Sequence, residues 1–226
     1  MADGDVLVAG GTGALGAAVV RDLLDSGRRV WATWIADKER ARMEEAPGLT
    51  LVRADLFDPV EAAAAVDAVE DLGAVVDLVG GFAAGPLVHE AEPEEFDRML
   101  RLNLRPAVLL ARAAMPRLVE RGGGTFVGVS ARTAERPFRG SAPYATAKAA
   151  VLAFIRALDA DYRDAGVRAN AIVPSVIDTP ANRASQPDAD HDRWPSPAEL
   201  AGVVRFLSSA DSAPTSGAAI PVYGRA

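Results

Sequence analysis

Residues 5–16 read DVLVAGGTGALG, a short apolar run that leads through a glycine-rich turn into a helical pattern. Gly10 permits a tight turn at the end of a strand, and Gly13 lets the backbone approach a pyrophosphate. Gly16 lets the following helix pack closely on the strand. The start of that helix offers N–H groups and a partial positive charge to a phosphate. The stretch therefore predicts a dinucleotide site on a Rossmann-type sheet.

The rest of the chain continues this alternation of short apolar runs and longer helical patterns. We predict strands at 5–9, 29–34, 49–53, 74–79, 124–129, 168–173 and 218–222. We predict helices at 14–26, 37–45, 59–71, 94–120, 144–164 and 197–208. Alternating elements of this kind predict one α/β domain over residues 1–226, with a doubly wound, mostly parallel seven-stranded sheet. The irregular segment 178–195 follows a strand end and is expected to be a substrate loop.

Composition excludes several classes of function. The 226 residues carry a net charge of −7, which disfavours broad nucleic-acid binding. With no cysteine and only two histidines, the chain offers neither a thiolate nor a His-rich centre, and we expect no metal site. The apolar runs are too short for a membrane span, and the acidic start does not resemble a secretory signal. A cytoplasmic location is the default expectation.

The end of the second predicted strand bears on the choice of dinucleotide. A site that prefers NAD usually places an acid there for the ribose 2′-OH, whereas this chain has Trp34. Lys38 and Arg40 follow and could meet a 2′-phosphate, so we favour NADP over NAD; they could equally be solvated helix charges. Asp55, after the third strand, either contacts the adenine amino group or bonds its own turn.

Two side chains four residues apart suggest proton chemistry. Tyr144 and Lys148 share one face if their segment is helical. A neighbouring cation would lower the pKa of the phenol from about 10 and suit it to acid–base work. Ser130 and Asn103 reach the same pocket only if the fold brings them there. Alone, a Tyr/Lys pair at this spacing is more often a pair on a helix surface.

The order of these motifs resembles the short-chain dehydrogenase/reductase family over essentially the whole chain. The resemblance implies that Tyr144 is the general acid/base and that Lys148 binds the nicotinamide ribose and lowers the Tyr144 pKa. It implies that Ser130 orients the substrate oxygen and that Asn103 holds a water in a proton relay. The motifs are the glycine-rich turn, Ala54-Asp55-Leu56, Leu102-Asn103-Leu104, Ser130, Tyr144-x-x-x-Lys148 and Asn170-Ala171-Ile172-Val173-Pro174. The expected cofactor site comprises Gly10, Thr12, Gly13, Ala14, Leu15, Gly16, Trp34, Lys38, Asp55, Leu56, Gly80, Gly81, Tyr144, Lys148, Pro174, Val176, Ile177 and Thr179.

Some segments depart from the common family pattern. Residues 77–82 read DLVGGF where the family usually carries Asn-Asn-Ala-Gly. Residues 10–16, 79–85 and 178–183 are similar to dihydropteridine reductases, a divergent branch of the same family. That branch reduces a quinonoid pterin with NADH and does not need the serine. Phe82 and Trp194 either flank the pocket or anchor the core.

The sequence therefore leads to three hypotheses of function: a carbonyl/alcohol oxidoreductase with a small-molecule substrate, a pterin reductase, and a non-catalytic dinucleotide sensor. By the same resemblance we expect a homotetramer or homodimer, with helices 94–120 and 144–164 packed across a two-fold axis.

Overall fold

A computed structural model describes residues 4–41 and 43–225 of the chain. Seven strands form one parallel sheet in the order β3-β2-β1-β4-β5-β6-β7. The strands are β1 Asp5–Ala9, β2 Val30–Trp34, β3 Leu49–Arg53, β4 Leu72–Asp77, β5 Gly124–Val129, β6 Val167–Pro174 and β7 Ala219–Val222. The order reverses direction between β1 and β4, and ligands bind at such a switch point in open α/β sheets.

In the part of the chain that the structure describes, eight α-helices connect or flank these strands. They are α1 Ala14–Asp25, α2 Asp37–Arg40, α3 Pro59–Asp67, α4 Pro93–Asn103, α5 Arg105–Glu120, α6 Ala142–Tyr162, α7 Pro180–Ser185 and α8 Pro197–Leu207. Helices α3, α5 and α6 cover one face of the sheet, and α1 and α8 cover the other. The strands are covered on both faces, which explains their continuously apolar sequences. The predicted doubly wound α/β fold is confirmed.

The prediction of a single helix over residues 94–120 is wrong. The segment divides into α4 and α5 at Leu104, because Pro106 has no N–H for a helical hydrogen bond and its ring would collide with the carbonyl of residue 102. The predicted helix 37–45 ends already at Arg40, and residue 42 lies outside the described residues. The irregular segment 178–195 contains the short helix α7.

Side-chain caps fix two helix starts that the sequence indicated. The Asp58 carboxylate accepts hydrogen bonds from the backbone N–H groups of Val60 and Glu61 at the start of α3. Ser196 and Glu199 form a reciprocal capping box at the start of α8. In the described part of the chain, no helix combines the length and the apolar character needed to cross a membrane.

Candidate active site

The glycine-rich turn between β1 and α1 has the geometry that the sequence predicted. Gly10 lies in the left-handed region at φ +73°, and its carbonyl accepts the N–H of Gly13 at 3.1 Å. A Cβ on Gly16 would overlap the carbonyl oxygen of Gly10, so only glycine lets α1 approach the strand this closely. A Cβ on Gly13 would meet only that same oxygen, at 3.4 Å. The turn is therefore open where a pyrophosphate could lie against backbone N–H groups.

Helix α2 places an acidic side chain beside the glycine-rich turn. A carboxylate oxygen of Glu39 lies 3.5 Å from the Thr12 hydroxyl. Lys38 is exposed, and Arg40 lines an open hollow at the start of β3. The sequence prediction did not include Glu39, because the acid of an NAD site is expected at the strand end and Trp34 occupies that position. Glu39 lies five residues later in α2, which returns to the glycine-rich turn. A carboxylate here would repel a 2′-phosphate, whereas Lys38 and Arg40, on which the preference for NADP was based, would attract one.

Strand β3 is followed by a turn in which Asp55 bonds to the backbone, one of the two roles that the sequence allowed for this residue. The Asp55 carboxylate accepts the N–H of Phe57 at 2.9 Å, and its own N–H donates to Glu61. Leu56 is buried in the core beneath α3 and α5. The turn role of Asp55 is thus confirmed, and its contact with adenine stays a prediction.

Helix α6 places Tyr144 and Lys148 one turn apart at the carboxyl edge of the sheet. Burial raises the pKa of Tyr144 to about 12. The expectation of a Tyr144 pKa below its usual value is therefore wrong for the chain alone, because desolvation outweighs the charge of Lys148, whose ammonium donates to the carbonyl oxygen of Val129 at 3.0 Å. The phenol of Tyr144 therefore holds its proton at neutral pH and is ready to donate it.

Lys148 is 5% exposed, and a second buried charge accompanies it. Burial lowers the pKa of Lys148 to about 8, while the negative charge of Asp77 opposes that change. Burial raises the pKa of Asp77 to about 7, and Lys148 opposes this in turn. The sequence prediction missed Asp77. The available signal was an acid at the end of an otherwise apolar strand, a position that rarely buries an acid without a partner.

Asn103 and Lys148 meet around Gly80. The Asn103 side chain accepts the N–H of Gly81 and donates to its carbonyl, both at 3.1 Å. A Cβ on Gly80 would lie 2.7 Å from the Asn103 Oδ1 and 3.1 Å from the Lys148 Nζ. A Cβ on Gly10 would contact Val79 at 3.4 Å, so this segment joins the dinucleotide turn to the Tyr144 helix. The fold thus brings Asn103, Gly80, Gly81, Tyr144 and Lys148 together.

Ser130 is turned away from this group. Its hydroxyl donates to the main-chain oxygen of Lys148 at 2.8 Å, and the residue is 1% exposed. The one hydroxyl proton is used inside the protein, so the expected substrate-orienting role of Ser130 does not fit its geometry. The next residue, Ala131, has no polar side-chain atom to take over that role. The sequence could not show which of Ser130 and Ala131 directs its side chain at the site, because successive side chains at a strand end point in opposite directions.

The residues expected around the nicotinamide follow β6. Pro174 is buried at the end of that strand, and Val176 and Ile177 come next, half-buried. The Thr179 hydroxyl accepts the N–H of Asn182 at 3.2 Å and thereby caps α7. The Asp178 N–H donates to Pro195 at 2.9 Å, which closes the base of the 178–195 loop. This loop follows the carboxyl edge, where the sequence predicted it.

An exposed aromatic surface stands beside the Tyr144 ring. Phe82 is 64% exposed and meets Tyr144 edge-on, with ring centroids 5.0 Å apart. Phe138 is 51% exposed, with its centroid 6.4 Å from that of Phe82. The N–H of Gly85 donates to Gly140 at 3.0 Å and ties the two loops that carry the phenylalanines. We name Phe82 and Phe138 the aromatic wall. From the sequence, Phe82 was either a pocket residue or a core anchor, and Phe138 was not identified.

Comparisons with known proteins identify the family of this chain. The sequence model of the family described as short chain dehydrogenase matches residues 5–190. The 2-(R)-hydroxypropyl-CoM dehydrogenase of Xanthobacter autotrophicus is 30% identical over 96% of this chain and 96% of that protein. The cyclic-di-GMP-binding biofilm dispersal mediator protein of Escherichia coli is 31% identical over 97% of this chain and 95% of that protein. The crystal structure of a 3-ketoacyl-(acyl-carrier-protein) reductase from Brucella melitensis, complexed with NADH, matches with a TM-score of 0.87 and 25% identity over 99% and 98% of the two chains.

Proposed function

The chain belongs to the short-chain dehydrogenase family, and on that basis we propose that it is a nicotinamide-dependent oxidoreductase that reduces a small carbonyl compound, with Tyr144 as proton donor. The observation that carries the proposal is the position of Tyr144 and Lys148 on one turn of α6, close to Gly80 and the dinucleotide turn. The open backbone at Gly13 fits a pyrophosphate. A nicotinamide bound there would supply the hydride.

The protein side chains supply the proton and the binding. Tyr144 donates its phenolic proton to the substrate oxygen as the carbonyl carbon gains hydride, and the product is an alcohol. The raised pKa of Tyr144, about 12, keeps the phenol protonated before the step. A cation near the phenolate that forms would stabilise it. Lys148 carries that charge from one turn away, and it offers further N–H donors to a ribose hydroxyl.

The test begins with binding. We expect NADH or NADPH to bind, as followed by nicotinamide fluorescence, and we expect Tyr144→Phe to bind the same cofactor with unchanged affinity. Turnover with a panel of ketones and aldehydes should fall by about 10²–10⁴-fold in that variant. Tyr162→Phe, at the other end of the same helix, is the matched control and should keep full activity. Full turnover by Tyr144→Phe, or no binding of either dinucleotide, would overturn the proposal.

One observation favours a second candidate, reduction of a quinonoid dihydropterin. The hydroxyl of Ser130 is bonded to Lys148, and dihydropteridine reductases, which this chain resembles in part, do not need the serine. The aromatic wall also offers flat apolar surface beside Tyr144. An assay with quinonoid dihydropterin and NADH separates the candidates. Turnover of the pterin far above that of simple ketones supports the second, and no pterin turnover removes it.

We also propose a homo-oligomer. Helix α5 leaves Val108 and Val119 exposed, and apolar side chains of this kind suit a helix face that packs against a second copy. Light scattering of the purified protein checks this, and a monomer mass across the working concentration range would remove the expectation.

A further inference from the structure

Asp77 is a carboxylate in the middle of the sheet. It is the last residue of β4, and its Cα pairs with Ala9 of β1 on one side and with Gly128 of β5 on the other. The residue is 4% exposed. Its Oδ1 accepts the N–H of Val79 at 3.1 Å. One backbone hydrogen bond does not offset the cost of burying a charged carboxylate, so the position calls for a charged partner.

The side chain of Asp77 lies on the sheet face that α6 covers. Alternation along β4 puts Asp77 on the same face as Val75, which packs in the core with α5 and α6. The neighbouring Gly128 has Val151 and Ile155 of α6 directly above it. Val76 faces the other way, towards α1 and α8. Asp77 therefore lies beneath the helix that carries Lys148.

Lys148 is the charged group of α6 whose charge acts on Asp77. Its Nζ donates to the carbonyl of Val129, the residue after Gly128, so the ammonium lies at the end of the neighbouring strand. Each of the two charges acts on the other. Within the described residues, the other elements packed around this site offer no competing charge at these positions. Strand β1 places Ala9 beside Asp77, α4 places the uncharged Asn103 near Lys148, and Arg105 of α5 donates to the Phe57 carbonyl.

We propose that Asp77 is a positioning residue that holds Lys148 as an ammonium ion in its buried site and so sets the upper pH limit of activity. The inference concerns the charge of Lys148, and only its catalytic consequence rests on the proposed function. Without the Asp77 charge, burial alone would act on Lys148, and the neutral amine would form at lower pH. A neutral amine does not stabilise the phenolate of Tyr144.

The composition of the chain makes a direct test practical, because Lys38 and Lys148 are its only lysines. Protein labelled with carbon-13 at lysine Cε gives two NMR signals, and Lys38→Arg assigns them. We expect the Lys148 signal to titrate about one pH unit lower, or more, in Asp77→Asn. The amide of that variant keeps an acceptor for the Val79 N–H. Asp77→Glu should return the titration towards its original position.

Asp55→Asn is the matched control for this titration. Like Asp77, Asp55 lies near the end of a strand and accepts the N–H two residues on, yet it forms no part of the Lys148 site, so its variant should leave the Lys148 titration unchanged. Asp77→Ser is a second neutral replacement, with the same expectation, if Asp77→Asn does not fold. An unchanged Lys148 titration in a folded neutral variant would overturn the proposal.

Activity gives the second readout. In Asp77→Asn the alkaline limb of kcat/KM should move down by the same shift, so that activity on that limb falls about tenfold for each unit. Equal loss at every pH would mean that Asp77 is merely structural and would also overturn the proposal. If the natural protein reduces nothing, the proposed function fails, but the NMR titration still decides the role of Asp77.

Discussion

The Ser130 hydroxyl donates to the main-chain oxygen of Lys148 at 2.8 Å, which ties the end of β5 to the helix that carries the Tyr144–Lys148 pair. This bond lies in the protein interior and holds the helix from its backbone. It leaves the substrate oxygen to Tyr144. A serine at this point therefore contributes to the structure around the site, and the difference from a substrate-binding serine is measurable.

We predict that Ser130→Ala keeps kcat/KM within about threefold of the natural value and lowers the free energy of unfolding by about 1 kcal/mol, the usual cost of one hydrogen bond. Steady-state kinetics and denaturant unfolding measure the two quantities. A hundredfold loss of kcat/KM with unchanged stability would contradict this prediction and return Ser130 to the substrate.

The exposed Phe82 should act on substrate binding and hardly on the proton transfer. We predict that Phe82→Ala raises KM for an aryl ketone about tenfold, because the variant loses apolar contact beside Tyr144. An alkyl ketone of the same carbon number should be affected much less. Phe206→Ala on α8, where the ring is also exposed, serves as control. Equal effects on both ketones would show that Phe82 does not select flat rings.

The sequence predicted the sheet well and part of the site. The three strands Asp5–Ala9, Leu49–Arg53 and Gly124–Val129 were predicted to the residue, because each is an apolar run bounded by turn residues or charges. Helices α4 and α5 were joined, because apolar positions continue on both sides of Leu104 and conceal the break before Pro106.

The contacts that give the site its character depend on tertiary structure. Asp77 and Lys148 come near each other only because β4 and β5 are neighbours and α6 crosses above them. Glu39 returns to Thr12 only through the turn into α2. The pKa of Tyr144 follows its burial more than its spacing from Lys148, so a sequence rule built on spacing gave the wrong direction.

Gly80 should tolerate no side chain. A Cβ there would displace the Asn103 Oδ1 or the Lys148 Nζ, so we predict that Gly80→Ala lowers kcat at least tenfold and costs about 1–3 kcal/mol of stability. Kinetics and thermal unfolding measure both effects. Gly85→Ala, whose Cβ would meet nothing within 4 Å, is the control in the same loop and should change neither. Natural activity in Gly80→Ala would show that Lys148 need not keep this position.

Glu39 should decide between the two dinucleotides. Its carboxylate stands beside Thr12, where it can accept a ribose hydroxyl and would repel a 2′-phosphate, so we expect the protein to bind NADH more tightly than NADPH. Glu39→Gln removes the repulsion and should tighten NADPH binding about tenfold, equivalent to about 1.4 kcal/mol, with little change for NADH. Fluorescence titrations at one ionic strength measure both constants, with Glu45→Gln as an exposed control. The natural protein could instead prefer NADPH, with Glu39→Gln leaving the ratio of the two dissociation constants unchanged. The 2′-phosphate would then bind at the start of α2, beside Lys38. Lys38→Ala should then weaken NADPH binding alone, because only the 2′-phosphate would have lost its counter-charge.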